Sequence, residues 1–202
     1  MNSNTAMAIG PETEHLPTTP IPPGYLGTLE CDVTTLLGTT VHVRPIRPDD
    51  AERLEDFHRL LSPQSVYFRF FSPHPQLSRA EIERFTHVDY ADRLALVVEV
   101  EGVLVAVGRY DRISGTEAEV AFVVADAWQH HGIATLLLEL LAQAAWMCGV
   151  DALVASTLPE NRDMLHVFTH SRFNVSMRFD DGLILVRFPI GPAYHHGERT
   201  PR

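Results

Sequence analysis

Residues 118–135 read AEVAFVVADAWQHHGIAT and decide the fold of this 202-residue chain. A run of strand-forming residues leads into a short polar turn that contains Gly132, and a Leu/Ala-rich helical pattern begins directly after it. A strand joined to a helix by such a turn directs free backbone N–H groups and the positive end of the helix dipole toward one point. Such a point suits an anion, most often a phosphate. The sequence therefore predicts a site for a phosphorylated ligand at the start of this helix.

The composition limits the function classes. Hydrophobic residues make up 45% of the chain, which is ordinary for a globular protein, and the formal net charge of −10 argues against binding to nucleic acid or to anionic membranes. The nearly apolar stretch 133–150 contains Glu139 and Gln143, which indicates a buried helix rather than a membrane span. There are only two cysteines, and no Arg or Lys precedes Arg44. We therefore expect a cytoplasmic protein, without a secretory signal and without a metal site.

The basic residues have an unusual composition. All 16 of them are arginine, and the chain contains no lysine. Genomic composition is the simplest explanation. Whatever the cause, the protein offers no lysine side chain for modification.

Periodicity along the chain predicts a single domain between two tails. Residues 1–37 are rich in Pro, Thr and Gly and are predicted to form a flexible tail, residues 38–190 the domain, and residues 191–202 a C-terminal tail. Within the domain, the patterns predict the order β-α-α-β-β-β-α-β-α-β-β. Asn161 is predicted to cap the last helix, which begins at Arg162. We therefore expect an α/β fold with one mixed central sheet and helices on both faces.

A short motif carries a resemblance to a known family. Residues 129–134 read QHHGIA and match the Gln/Arg-x-x-Gly-x-Gly/Ala signature of the GCN5-related N-acetyltransferases (GNAT), and the predicted element order over residues 41–189 agrees with that family. Residues 119–129 and 158–165 further resemble the acetyltransferase domain of bacterial Pat-type protein lysine acetyltransferases. The resemblance implies a single GNAT domain that uses acetyl-CoA as a co-substrate. Because those relatives act on acyl-CoA synthetases, it also implies an acceptor protein with a reactive lysine, and an acetyl-CoA synthetase is one candidate.

The same resemblance implies where acetyl-CoA binds. Backbone N–H groups of the turn and the helix start are expected to bind the pyrophosphate, and backbone groups at the end of the preceding strand to hold the pantetheine arm and the thioester. His131 stands where relatives usually carry Arg, so phosphate affinity is expected to be weaker or to depend on pH. The alternative is an ordinary strand-to-helix turn with solvated histidines. The complete predicted set is Phe122, Val123, Val124, Gln129, His131, Gly132, Ile133, Ala134, Thr135 and Asn161.

Glu119 is the predicted general base. An amine attacks a thioester only when it is neutral, and a carboxylate can take the proton directly or through water. Glu119 shares its strand face with Ala121 and Val123, where an unpaired carboxylate is costly unless it has a task, and the resemblance places the catalytic glutamate there. The alternative is a structural ion pair, for example with Arg109. Many relatives carry a Tyr as general acid at the position of Phe168, which has no proton to donate.

Three functions remain open at this point. The leading one is an acetyl-CoA-dependent N-acetyltransferase that modifies protein lysines. The second is a small-amine N-acetyltransferase, since the residues of the acceptor pocket cannot be oriented from the sequence. The third is a non-catalytic acyl-CoA-binding sensor module, which the absence of a Tyr at the general-acid position would suit.

Overall fold

The computed structural model describes residues 21–191 and contains one eight-stranded mixed sheet in the order β1-β2-β3-β4-β5-β6-β8-β7. All neighbouring strands are antiparallel except β5 and β6. The strands are β1 Cys31–Thr34, β2 Thr40–Pro45, β3 Arg93–Val100, β4 Val103–Arg112, β5 Glu117–Val124, β6 Ala152–Thr157, β7 Ser176–Asp180 and β8 Leu183–Pro189. The helices are α1 Ala51–Arg59, α2 Pro63–Phe70, α3 Arg79–Thr86, α4 Ile133–Met147 and α5 Arg162–Thr169.

Helices cover both faces of the sheet. Successive side chains of a strand point to opposite faces, and on β3 they enter two different cores. Val97 packs with Phe57 of α1 in one hydrophobic cluster. Its neighbour Leu96 packs with Leu141 of α4 and Phe168 of α5 in the other. The first three helices therefore lie on one face and the last two on the other, which confirms the predicted fold class.

The predicted turns form as their sequences require. Gly132 precedes α4 at φ +83°, and Gly149 follows the helix at φ +79°. Asp181 and Gly182 both have positive φ in the turn between β7 and β8, as the tightest hairpins demand. Among the described residues, no helix is long and apolar enough to cross a membrane, and no group of three His, Cys, Asp or Glu side chains is placed to hold a metal ion.

The structure adds one strand and one helix to the predicted order, since the second predicted helical region forms two helices, α2 and α3. Cys31–Thr34 forms β1 and pairs antiparallel with β2. The prediction of a flexible tail over residues 1–37 missed this strand, because its four residues are only partly buried and the surrounding segment is rich in Pro, Thr and Gly. The rest of that tail up to residue 20, and residues 192–202 of the C-terminal one, lie outside the described part of the chain.

Candidate active site

The strands β5 and β6 separate before either of them ends, and this opens a cleft. Their parallel pairing joins residues 117–119 to residues 152–154 and stops there, although β5 runs on to Val124 and β6 to Thr157. Over the same length, the other edge of β5 stays paired with β4. Strand-edge N–H and C=O groups that lack a neighbouring strand can pair with an extended ligand. The cleft therefore offers one side of β5 to such a ligand.

A cavity of about 440 Å³ follows this cleft. That volume is typical of pockets for small ligands. Its walls come from β5, β6, α2, α5 and the start of α4. The predicted site residues that line it are Glu119, Phe122, Val123, Val124, Gln129, Gly132, Ile133, Ala134, Thr135 and Asn161. The structure thus brings together every predicted site residue except His131.

The side chain of His131 does not line the cavity. Its Nδ1 hydrogen-bonds the carbonyl oxygen of Gln129 at 2.8 Å, and its ring lies 5.2 Å from the ring of Trp128. The neighbouring His130, exposed and at φ +62°, lines the cavity instead. The imidazole of His131 therefore contacts Gln129 and Trp128 instead of the cavity, and a role of the His131 backbone N–H in cofactor binding stays a prediction.

The start of α4 leaves backbone donors free. The helical hydrogen bonds begin at Leu136, whose N–H donates to the carbonyl oxygen of Gly132 at 3.0 Å, so the N–H groups of residues 133–135 have no partner within the helix. No side chain caps this end. A Cβ atom added at Gly132 would lie 3.0 Å from two side-chain carbons of Leu36. The free N–H groups and the helix dipole together suit a pyrophosphate.

Replacing Gly132 with Ala is expected to weaken acetyl-CoA binding about tenfold, because the added methyl group would lie 3.0 Å from Leu36 and displace the turn whose N–H groups face the phosphates. The backbone strain at φ +83° is expected to lower the free energy of unfolding by about 1 kcal/mol. Gly149→Ala is the matched control, since Gly149 has nearly the same φ and nothing within 4 Å of the added Cβ. Calorimetric titration should show weaker binding for the first variant alone; equal Kd values for both variants would contradict the anion site.

Gln129 connects the turn before α4 to α2. Its Nε2 donates to Ser65 Oγ at 3.1 Å and to the carbonyl oxygen of Val124 at 3.2 Å. Ser65 Oγ donates to Asp126 Oδ1 at 3.0 Å, and the other carboxylate oxygen of Asp126 accepts the N–H of Ser62 at 2.9 Å. Burial raises the pKa of Asp126, but hydrogen bonds from Ser62 outweigh burial and the net pKa is lowered. Gln129 therefore uses both of its amide hydrogens to position the cavity wall.

Asn161 has the capping role that the sequence predicts. Its Oδ1 accepts the N–H of Met164 at 3.1 Å, at the start of α5. The residue is buried and lines the cavity, so contact with a cofactor stays a prediction beside the confirmed cap. Further along the helix, Phe168 is buried with its ring 6.4 Å from that of Phe122. This part of the wall is apolar.

Glu119 lies where β5 and β6 separate. Its side chain is exposed, so the expected apolar and dry surroundings are wrong. Asp111 of β4 stands directly opposite, and Arg69 of α2 lines the same cavity. Arg109 makes its contacts with Phe85 of α3, and within residues 21–191 no ion pair joins Glu119 to any cation. The carboxylate is therefore open to solvent and to an acceptor.

Two arginines bring positive charge to the face of Glu119; the sequence predicts Arg109 as a possible neighbour but not Arg69. Arg109 is 7% exposed, stacks on the ring of Phe85 at 4.1 Å and donates one long hydrogen bond, 3.4 Å, to the Phe85 carbonyl oxygen. Burial, followed by repulsion from Arg69, lowers the pKa of Arg109 to about 9. Burial also lowers the pKa of Arg69, and the carboxylates of Glu119 and Asp111 offset part of that effect. The acid thus faces a cationic cluster.

A family model decides the identity of the fold and its chemistry. The model of the acetyltransferase (GNAT) domain matches residues 40–174. The chain belongs to the GNAT acetyltransferase family. Enzymes of this family are acyltransferases that use acetyl-CoA as the acetyl donor. The residues present fit that molecule, because a helix start with free N–H groups and an unpaired strand edge lie along one cavity.

Two Pat proteins are similar to this GNAT chain. The GNAT domain of S. lividans PAT is 40% identical, with 82% of this chain and 99% of that domain covered and a TM-score of 0.79. The acetyltransferase Pat of Mycolicibacterium smegmatis is 32% identical over 161 residues, which are 77% of this chain and 47% of that protein. The chain thus spans about half the length of that curated relative. The yncA protein of Salmonella typhimurium, solved with acetyl-CoA, shares the fold at 16% identity and a TM-score of 0.60, over 80% and 98% of the two chains.

Proposed function

We propose that this protein transfers the acetyl group of acetyl-CoA to the ε-amino group of a lysine in a protein acceptor. The exposure of Glu119 carries the proposal. An acid at the open end of the cavity can be reached by a side chain on the surface of another protein, whereas a small amine needs an enclosed pocket to hold it. The similarity to the GNAT domain of S. lividans PAT across its full length supports the same acceptor class.

The proposed cofactor site has two parts. The N–H groups at residues 132–135 bind the pyrophosphate, and the free edge of β5 at residues 122–124 pairs with the pantetheine arm. Acetyl-CoA supplies an activated acyl carbon at the end of this arm. A backbone N–H of β5 directed at the thioester oxygen stabilises the negative charge that develops there during attack.

Glu119 is the proposed general base. It takes a proton from the acceptor ammonium, directly or through water, and passes it to solvent, which its exposed position allows. The cationic pair Arg69 and Arg109 on the same face disfavours a third positive charge, and so favours the neutral, nucleophilic form of the acceptor amine. The carboxylate of Glu119 and the two arginines thus both favour the neutral form of the acceptor amine.

The acceptor class can be tested with a bacterial lysate and acetyl-CoA, followed by mass spectrometry of acetylated lysines. Because the enzyme itself contains no lysine, none of the acetyl-lysines detected comes from its own side chains. We expect a small set of lysines to gain acetyl groups with the wild type and not with Glu119→Gln. A purified acetyl-CoA synthetase is the first single acceptor to test. Consumption of polyamines, amino acids or aminoglycosides without any modified lysine would contradict the proposal and favour a small-amine enzyme.

The absence of a hydroxyl group at Phe168 favours one other candidate, an acyl-CoA sensor without catalytic activity. Such a protein would bind acetyl-CoA with normal affinity and would release no free CoA in the presence of any amine. Measuring free thiol during the lysate incubation separates the two functions directly.

A further inference from the structure

Thr157, the last residue of β6, carries a hydroxyl group that the fold leaves without a partner. The residue is 1% exposed, and its Oγ1 has no hydrogen-bond partner in the part of the chain that the structure describes. Burying a hydroxyl group without a hydrogen bond is unfavourable. Thr157 also lines the large cavity. An unpaired, buried donor in a cavity wall points to a ligand atom as its partner.

The strand register places this hydroxyl at the level of the proposed thioester site. The parallel pairing that joins Glu119 to Val154, continued by three residues on each strand, brings Thr157 opposite Phe122 across the cleft. Side chains of odd-numbered residues on β6, such as Ala155, enter the same core as Phe122 and Phe168. Thr157 therefore lies across the cleft from the β5 backbone that is proposed to hold the thioester.

Thr157 can supply a hydrogen-bond donor to the leaving sulfur, which Phe168 cannot. When the acceptor nitrogen attacks the thioester, sulfur leaves with an electron pair and benefits from a nearby donor. Phe168, buried at the apolar wall, has none. Of the other polar side chains near the end of β6, Ser156 also lines the cavity but alternates to the face of Ala121 and Glu119, and the Oδ1 of Asn161 caps α5.

We propose that the Thr157 hydroxyl donates a hydrogen bond to the sulfur of CoA as the thiolate departs. In this step the C–N bond forms, the C–S bond breaks, and the electron pair of that bond stays on sulfur. The amine proton leaves by way of Glu119, Thr157 keeps its own proton, and solvent later protonates the thiolate. The inference rests on the proposed acetyl transfer and adds the group that stabilises its leaving thiolate.

Thr157→Val and Thr157→Ser test the role in turnover. Valine keeps the shape and removes the donor, so kcat is expected to fall about tenfold or more while the Kd of acetyl-CoA stays within about twofold. Serine restores the hydroxyl group and is expected to restore most of kcat. The ratio to wild type is measured on whichever amine the wild type acetylates. An unchanged kcat for Thr157→Val, or a loss confined to Kd, would overturn the proposal.

A second measurement needs no acetyl transfer. In the complex with free CoA, the thiolate is followed by its ultraviolet absorbance as pH rises. Loss of a donor to sulfur disfavours the thiolate, so the pKa of the bound CoA thiol is expected to be higher by about one unit in Thr157→Val than in wild type. If no amine is acetylated by any variant, the proposed function fails while this titration still decides the role of Thr157. Identical titrations, or no CoA binding at all, would overturn it.

The thermal stability of the Thr157→Val variant shows whether Thr157 serves ligand binding or the packing of the fold. Removing an orphaned hydroxyl should leave the Tm of the free protein unchanged or raise it. Thr86→Val is the matched control: Thr86 is fully buried, but its Oγ1 donates to the carbonyl oxygen of Ile82 at 2.8 Å. That variant is expected to lose several degrees of Tm with its kcat intact. A lower Tm in Thr157→Val, together with unchanged thiol titration, would show a purely structural side chain.

Discussion

Glu119→Gln is expected to lower kcat for acetyl transfer by about 10²- to 10⁴-fold and to leave the Kd of acetyl-CoA unchanged. Glutamine keeps the size of the side chain but cannot accept the proton of the acceptor ammonium. The side chain is exposed and makes no ion pair within residues 21–191, so its loss should not disturb the fold. Steady-state kinetics with the acceptor found in the lysate, together with calorimetric titration of acetyl-CoA, measure both quantities.

Glu117→Gln provides a control on the same strand and the same face. Glu117 accepts a hydrogen bond from Arg187 Nε at 2.8 Å and lies two residues before the cleft opens. Its replacement removes the same charge and should leave kcat within about twofold of wild type, since an exposed ion pair contributes little. A comparable loss of kcat in both variants would mean that the loss comes from removing a negative charge anywhere on β5, and not from removing a base at Glu119. Full activity in Glu119→Gln would exclude this carboxylate as the base.

Most of the cofactor side of the site could be predicted because it is local in sequence. The end of β5, the turn and the first residues of α4 follow one another along the chain, so strand pattern, Gly132 and helix pattern fix their relative positions. Nine of the ten predicted cofactor residues line the cavity. The exception is the side chain of His131, whose orientation depends on a hydrogen bond to the carbonyl oxygen of Gln129. Sequence periodicity does not predict such a bond.

The acceptor side could not be predicted, because distant segments build it. Arg69 reaches Glu119 only through the packing of α2 over the sheet, whereas Arg109, which the sequence predicts as a possible neighbour, stands opposite Ala121 in the pairing of β4 with β5. The exposure of Glu119 depends on where the pairing of β5 and β6 ends, which is a property of the whole sheet. Thr157 carried no motif signal. Its proposed role follows from a buried hydroxyl group without a hydrogen-bond partner, which only the folded structure shows.

A buried ion network outside the cavity joins β2, β3 and the start of α1. Arg44 is 6% exposed and Asp50 is 2% exposed. Two guanidinium nitrogens of Arg44 donate to the two carboxylate oxygens of Asp50 at 2.8 and 2.7 Å, and Arg53 adds a bond of 3.0 Å to the same carboxylate. Glu99 of β3 contacts both arginines. Charges buried in this way depend on every partner being present.

Asp50→Asn is expected to lower the free energy of unfolding by about 3 kcal/mol. The amide has nearly the same shape, but it loses the negative charge and turns an NH₂ group toward the donors of Arg44, whose remaining partners are Glu99 and the carbonyl oxygen of Pro45. Asp49→Asn is the matched control, since Asp49 is the exposed preceding residue and loses the same charge. It should change the free energy of unfolding by less than about 0.5 kcal/mol. Urea denaturation at pH 7 measures both, and equal values would contradict a structural role for the network.

Wild type and Asp50→Asn are also expected to differ in how their free energies of unfolding depend on pH. Burial raises the pKa of Asp50, but the hydrogen bonds and charge of Arg44 outweigh burial, so the net pKa lies below its ordinary value of 3.8. A carboxyl group whose pKa is lower in the folded state stabilises the fold fully above its unfolded pKa, and this contribution is lost as pH falls through the folded value. The difference in unfolding free energy between wild type and Asp50→Asn should therefore be constant from neutral pH down to about pH 5 and shrink below about pH 4. A difference that grows on acidification would mean that the carboxylate destabilises the fold, and would remove Arg44 as its stabilising partner.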